Sequence, residues 1–441
     1  MQRRTALKSI AATATGLAFA GTASGDDDNY RPRGPWGTTD DQEKLPYASY
    51  YTNEQLADRL QGLDRRSDRL ELRQIGESAG REDPIWEVQI GDGDESLHMI
   101  NGIHGDEPSG LEATVQVLQT LAMGNSPEVA DILDELSLTI IPDMNPDGNE
   151  FRGDDGLAEG NSSDFYQRRA NTTEWDGETA EMPSYYYDHW DVPGYDLNRD
   201  FPVIPDFDPD EDENLGIWDG RSYGIPIDEI DLESQVDDPP EVIWGSGLNL
   251  NPETRATIDS FLEADPDWAF THHHQGTPID PDSSDENGPD WQTSMSVMAP
   301  QGAAYGDVSD DIDGPEDGNV FITEDAEKRS LQSAVLAKDA AGLAGGGRID
   351  KVNRFPYGPL WGSYEEVLPL YTDAAALLYE VSHQSEERGQ KGEGFKVKLT
   401  RDVYLETFRR IADGSIHDID EMRYFDEMSV PTENAENPHT Q

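Results

Sequence analysis

Residues 95–110 read ESLHMINGIHGDEPSG, an apolar run that stops on a histidine and two acids. Leu97, Met99, Ile100 and Ile103 read as a buried strand, and the chain leaves it through His104-Gly105-Asp106-Glu107-Pro108. Gly105 and Pro108 break regular structure, which puts His104 and Glu107 on a tight loop at the strand's end. An imidazole and a carboxylate three residues apart on such a loop can converge on one cation. With a second, distant histidine they make the donor set of a catalytic zinc site, three protein ligands and one open position. A surface histidine in an acidic turn fits the same four residues, so the rest of the chain has to decide between the two.

Outward from this loop the chain alternates strands with helices. Thr52 can cap a helix carrying Leu56, Leu60 and Leu63 at helical spacing. Leu70–Ile75 and Ile85–Ile90 alternate as strands and are joined by GESAGRED. Beyond the loop, Leu111, Val115, Leu118 and Leu121 mark a helix, and a short one follows Ser126. LSLTIIP (136–142) is a continuous apolar run, as in a strand buried on both faces. Asn251-Pro252-Glu253 opens a helix through Ile258 and Phe261 into a strand, Asp267–Thr271. Residues 278–325 read as an acidic, glycine-rich loop, followed by a long helix to about Leu343. A last helix carries Val403, Leu405, Phe408 and Ile411. The pattern predicts a single α/β domain, a mixed and mostly parallel sheet flanked by helices, with active residues at strand ends. Between 150 and 250 lie long acidic insertions such as DFDPDEDEN (206–214) and the aromatic stretch YYYDHW (185–190), read either as active-site rim or as local packing.

The second histidine has one concentrated source, His272-His273-His274, after the strand ending at Thr271. His272 and His273 point to opposite faces of a strand, so either can be the ligand on parity alone. Further motifs follow: Asn145-Pro146-Asp147-Gly148, Arg168-Arg169-Ala170-Asn171, Asp196-Leu197-Asn198-Arg199-Asp200-Phe201-Pro202, Tyr357 with Trp361-Gly362-Ser363, and Glu380 in the apolar run 374–382. A lone glutamate among buried residues is costly unless it is paired or functional.

Taken in this order, the motifs resemble those of the zinc carboxypeptidase family (carboxypeptidase A/B-like), over about Tyr47 to about Leu399. The resemblance implies that His104, Glu107 and His273 hold Zn2+ and that Glu380 is the general base and acid. It gives Arg169, or its neighbour Arg168, to the scissile carbonyl. Asn198 and Arg199 bind the substrate's terminal carboxylate, a task suited to a planar guanidinium, and Tyr357 is the mobile substrate-binding tyrosine. Tyr364 falls at the specificity pocket, where a bulky uncharged group speaks against basic termini. The loop between Arg169 and Asp196 is longer than the family usually shows. The expected partners are peptide or protein C-termini; the alternatives are a deacylase of N-acyl amino acids and a silent binding protein on the same fold.

Composition narrows the setting. Asp and Glu number 92 against 32 Lys and Arg, a net charge of −60. Such a surface, with few lysines, suits a halophilic protein in concentrated salt, where screening removes self-repulsion. It would repel nucleic acid and anionic membranes. The chain has no cysteine, which removes disulfides, thiol catalysis and a lipoprotein anchor. Residues 1–25, with Arg3-Arg4 ahead of a short, weakly apolar stretch, read as a signal peptide of twin-arginine type, too short to span a membrane. Export is therefore expected. Residues 26–46 read as a disordered acidic lead-in, 47–428 as the catalytic domain and 429–441 as a disordered tail. The oligomeric state has no signature in the sequence.

Overall fold

The apolar runs lie side by side as one sheet. The computed structural model describes residues 50–152, 165–174, 183, 185–189, 192–203, 223–227, 230, 232–237, 239–275, 278–279, 295–305, 318–344, 352–354, 362–382, 389–430 and 433–434. The segments read as signal and lead-in, the acidic stretch 206–214 and Tyr357 lie outside them. Eight strands build the sheet: β1 (Leu70–Glu77), β2 (Pro84–Ile90), β3 (Glu95–Ile100), β4 (Leu136–Ile141), β5 (Trp268–Gln275), β6 (Met295–Met298), β7 (Val352–Arg354) and β8 (Ala375–Ser382). Their order is β1-β2-β4-β3-β5-β8-β6-β7. The inner four, β4, β3, β5 and β8, run parallel. β2 pairs antiparallel with β4, and β6 antiparallel with β8. The runs without polar alternation thus sit at the centre, where both faces are covered.

The longer helices are α1 (Asn53–Asp64), α2 (Ser109–Met123), α3 (Pro127–Glu135), α4 (Pro252–Ala264), α5 (Glu324–Ala344) and α6 (Gly389–Ala412). Thr52 caps α1 in a capping box with Gln55, as its sequence predicts. On one face of the sheet, Leu60, Leu118, Leu336 and Phe408 from four helices share a core with Leu138, Phe270 and Leu377. On the other, Ile258 and Phe261 of α4 pack with Ile100, Ala269, Ala376 and the short turn Tyr364–Val367. Among the described residues no helix is long and apolar enough to cross a membrane.

Strand parity then assigns faces. Trp268 and Phe270 belong to the first core and Ala269 to the second. His272 and His274 therefore face the first, with α2 and α6, while His273 faces the second. On β8, Leu377, Tyr379 and Val381 face the first core and Ala376 the second, so Glu380 shares His273's face. The two are register partners on neighbouring strands.

The structure differs from the sequence reading in several places. β5 does not stop at Thr271 but carries all three histidines as paired strand residues through Gln275. An apolar-run criterion ends at the first polar residue, whereas these imidazoles are buried and hydrogen-bonded. β6, Met-Ser-Val-Met, lies inside the stretch read as loop, too short to stand out from its acidic flanks. Glu433–Asn434, inside the stretch read as tail, pairs with Pro278–Ile279. In the aromatic stretch, Tyr186–His189 forms a ribbon with Val192–Tyr195. Tyr185 is buried, donates to Asp200 Oδ1 at 2.9 Å and packs on Tyr195, which is local packing and not rim.

Candidate active site

The loop after β3 is pinned by the turn after β4. Asn145 Nδ2 lies 3.1 Å from the Ile103 carbonyl and 3.1 Å from that of Arg169, while Asn145 Oδ1 accepts from Gly148 N. Gly105 is required here, because a Cβ would lie 1.9 Å from the Gly148 carbonyl carbon. Asp147 accepts from Ser78 Oγ (2.7 Å), Gly80 N (2.7 Å) and Thr172 Oγ1 (2.8 Å). The turn in GESAGRED, the Asn-Pro-Asp-Gly turn and the segment after Arg169 thus meet in one polar network around the site.

Against this support the structure brings His104, Glu107 and His273 together, all buried. His104 Nδ1 is 3.0 Å from Glu107 Oε1, and His273 Nδ1 is 3.0 Å from His104 Nδ1 and 3.1 Å from Glu107 Oε2. Their ligand atoms all lie within 4.8 Å of one another, and no second group of this kind occurs among the described residues. His104 Nε2 meets Asp196 Oδ1 at 3.0 Å, so Nε2–H donates outward and the Nδ1 lone pair faces inward. Without a metal, burial and the Arg169 guanidinium push the His104 imidazolium down while Glu107 and Asp196 outweigh them and raise it to about 9, so a cation bound at Nδ1 would replace that proton. Burial pushes the Glu107 carboxyl up, and His104 and His273 overcome that, holding it well below its usual range. The pocket is built to retain positive charge. Two imidazole nitrogens and a carboxylate fit zinc in a site with an open position. The role of Asp196 comes from a contact 92 positions away, which the spacing of the motif around Asn198 cannot connect to His104.

Glu380 stands beside this group. Burial pushes its carboxyl well above the ordinary range, with Glu107 adding to the effect, and Oε2 has no hydrogen-bond partner among the described residues. Of the two arginines, Arg169 Nε binds Asp196 Oδ2 at 3.0 Å and its NH1 lies 3.4 Å from Glu107 Oε1, with the side chain partly open to solvent. Arg168 is fully buried and turns toward the Pro193 carbonyl, 3.5 Å away. Asn198 Nδ2 lies 3.4 Å from His273 Nε2, Asn198 Oδ1 accepts from Tyr364 N at 3.1 Å, and Arg199 donates to the Asn198 carbonyl at 2.6 Å. Tyr357 lies outside the described residues.

Tyr364 is fully buried. Its ring is buried among Phe201 and Phe261, and its hydroxyl meets His98 Nδ1 at 2.8 Å. A residue opening a helical turn aims into the core when the turn packs on a sheet, so the specificity reading made from Tyr364 falls. The next residue, Glu365, was missed: it is fully buried, neither oxygen has a hydrogen-bond partner among the described residues, and it raises the Glu380 carboxyl further.

The chain is similar to known proteins. A family model described as zinc carboxypeptidase matches residues 56–310, more than half of the chain. Carboxypeptidase E of Caenorhabditis elegans is 26% identical over 242 residues, 52% of this chain and 42% of that protein. Carboxypeptidase D of Mus musculus is 23% identical over 287 residues, 58% of this chain and 18% of that protein. The chain thus spans less than half the length of these curated relatives. The crystal structure of thrombin-activatable fibrinolysis inhibitor superposes with a TM-score of 0.51 at 16% identity, covering 84% of this chain and 78% of that one, a likeness of fold. With the family model spanning the strand–loop that carries His104 and Glu107 and the strand that carries His273, the chain belongs to the zinc carboxypeptidase family.

Proposed function

We propose that this protein is a zinc metallocarboxypeptidase that removes C-terminal residues from peptides, with His104, Glu107 and His273 as metal ligands. The observation that carries the reading is the buried convergence of these three side chains beside a buried Glu380 whose Oε2 has no hydrogen-bond partner among the described residues. When bound, zinc supplies Lewis acidity toward water and the scissile carbonyl, and a divalent charge that offsets the surrounding carboxylates. Glu380 takes a proton from the attacking water and returns it to the leaving amine. Arg169, anchored by Asp196, presents its partly open guanidinium to the oxygen that gains charge in the transition state. Asn198 and Arg199 hold the terminal carboxylate, with Tyr357 as a further contact, and so place the last peptide bond at the metal. Asp196 keeps His104 in one tautomer and one orientation.

Arg199 tests the exopeptidase part of the proposal. Arg199→Ala should remove a charge-assisted contact of roughly 1.5–3 kcal/mol. On peptides with a free C-terminus kcat/KM should fall about ten- to a hundredfold. C-terminally amidated peptides, which the wild type should cleave poorly, should be nearly unaffected. Equal cleavage of free and amidated peptides by the wild type would end the carboxypeptidase proposal, and faster turnover of N-acyl amino acids would favour a deacylase.

The surroundings of the enzyme are also part of the proposal: residues 1–25 as a twin-arginine signal, 47–428 as the catalytic domain, and a secreted life in concentrated salt. The charge of −60 supports the last point. Lowering ionic strength from 1 M to 0.01 M lengthens the screening distance from about 3 Å to about 30 Å. Tertiary structure, followed by near-ultraviolet circular dichroism, is expected to be lost on such dilution and kept in molar salt. A protein that stays folded and active at millimolar salt is not a halophile's.

A further inference from the structure

On the reverse face of β5 lies a second polar group that catalysis does not use. Ser109, the first residue of α2, is fully buried, and its Oγ is 3.0 Å from His272 Nε2 and within hydrogen-bonding reach of His274 Nε2. Ser109 N also approaches His274 Nε2, at 3.3 Å. His272 Nδ1 meets the Tyr404 hydroxyl of α6 at 2.9 Å, and that hydroxyl lies 3.2 Å from Asn101 Oδ1, just past the end of β3. The contact is tight: a Cβ on Gly110 would stand 2.5 Å from the His272 ring.

The hydrogen inventory orders this chain of contacts. His274 Nε2 receives the Ser109 backbone N–H, so it is an acceptor and the Ser109 hydroxyl proton also points to it. The Oγ lone pairs are left for His272, which must then carry its proton on Nε2. His272 Nδ1 and Asn101 Oδ1 then both face the single Tyr404 hydroxyl proton. Tyr404, His272, Ser109 and His274 thus form one continuous run of hydrogen-bonding contacts.

Its place in the fold gives it a task. Ser109 is two residues beyond Glu107, and His272 and His274 flank His273. The group therefore ties the two chain segments that carry the ligands, from the side opposite the metal. We propose that Tyr404, His272, Ser109 and His274 form a clasp of positioning residues that sets the spacing between the two halves of the zinc site. Through the Tyr404 hydroxyl, metal affinity then depends on helix α6, which lies beyond the stretch matched by the family model.

The proposal rests on the zinc reading, and the test separates the two. Zinc affinity is measured by chelator competition in molar salt for the full chain, Ser109→Ala and Tyr404→Phe. Unfolding of each metal-free protein and the visible spectrum of each cobalt-loaded form are recorded alongside. Outer partners of metal ligands typically contribute 10- to 100-fold in affinity. We expect a loss in that range for Ser109→Ala, a smaller one for Tyr404→Phe, and a changed cobalt spectrum for both, with metal-free unfolding nearly unmoved. Equal affinities and spectra in all three proteins overturn the clasp. So does a weakening matched by an equal loss of metal-free stability, which makes the group ordinary core. A wild type that binds no zinc at one equivalent sinks the metal reading itself.

Discussion

Glu380→Gln should lower kcat of the zinc-loaded protein by about 10²- to 10⁴-fold, the usual worth of a positioned acid–base group. Zinc content should stay near one equivalent and KM should shift only a few-fold. The amide keeps the volume and polarity of the side chain but cannot take a proton from water or return one to the leaving amine. Its neighbours make the substitution a mild one structurally, since β8 is paired on both sides at this position and Glu380 Oε2 has no hydrogen bond to lose among the described residues. Steady-state kinetics with metal analysis on the same preparation decide the matter. A variant that retains more than a tenth of the wild-type turnover has a different general base.

The second large effect is expected at β5. His273→Ala should leave the protein without zinc after gel filtration and without activity. His272→Gln, one residue away, should retain stoichiometric zinc at weakened affinity. The contrast follows from parity: adjacent strand residues face opposite sides of the sheet, and only His273 has its Nδ1 within 3.1 Å of both His104 Nδ1 and Glu107 Oε2. Metal content of the two variants, with circular dichroism to show that both are folded, is the measurement. Zinc loss from His272→Gln with retention in His273→Ala would exchange the two roles.

Much of this molecule is legible in its sequence because the signals are local. The β3 run that ends on Gly105 and Pro108 announces both the strand and the loop, and the capping box at Thr52 needs four residues. Glu380 stands out because one carboxylate in an apolar run is an energetic anomaly. What stayed hidden depends on contacts between distant segments. The partnership of Asp196 with His104 spans 92 positions. The burial of Tyr364, and hence the direction of Glu365, is decided by Phe201 and Phe261, which the local pattern of Gly362-Ser363-Tyr364 does not contain. β6, between β8 and the edge strand β7, and β7 itself have only four and three residues, and each exists by pairing with its neighbour. The triple histidine could be located but not oriented, since its reading depends on the number of the residue at which β5 begins.

The order of strands has a bearing on how the chain folds. β3 is flanked by β4 and by β5, and β5 by β8, so Leu97 lies beside Trp268 and Trp268 beside Ala375. The centre of the sheet therefore closes loops of well over a hundred residues on one side of β5 and about a hundred on the other. Such non-local parallel pairing is entropically uphill until long-range contacts form, which places this topology among slow folders. During that interval the acidic chain is held open by its own charge unless salt screens it. Maturation of the active centre is thereby coupled to the last long-range closure and not to any early local element. Were the chain exported already folded, as proposed from residues 1–25, it would have to complete that closure before export.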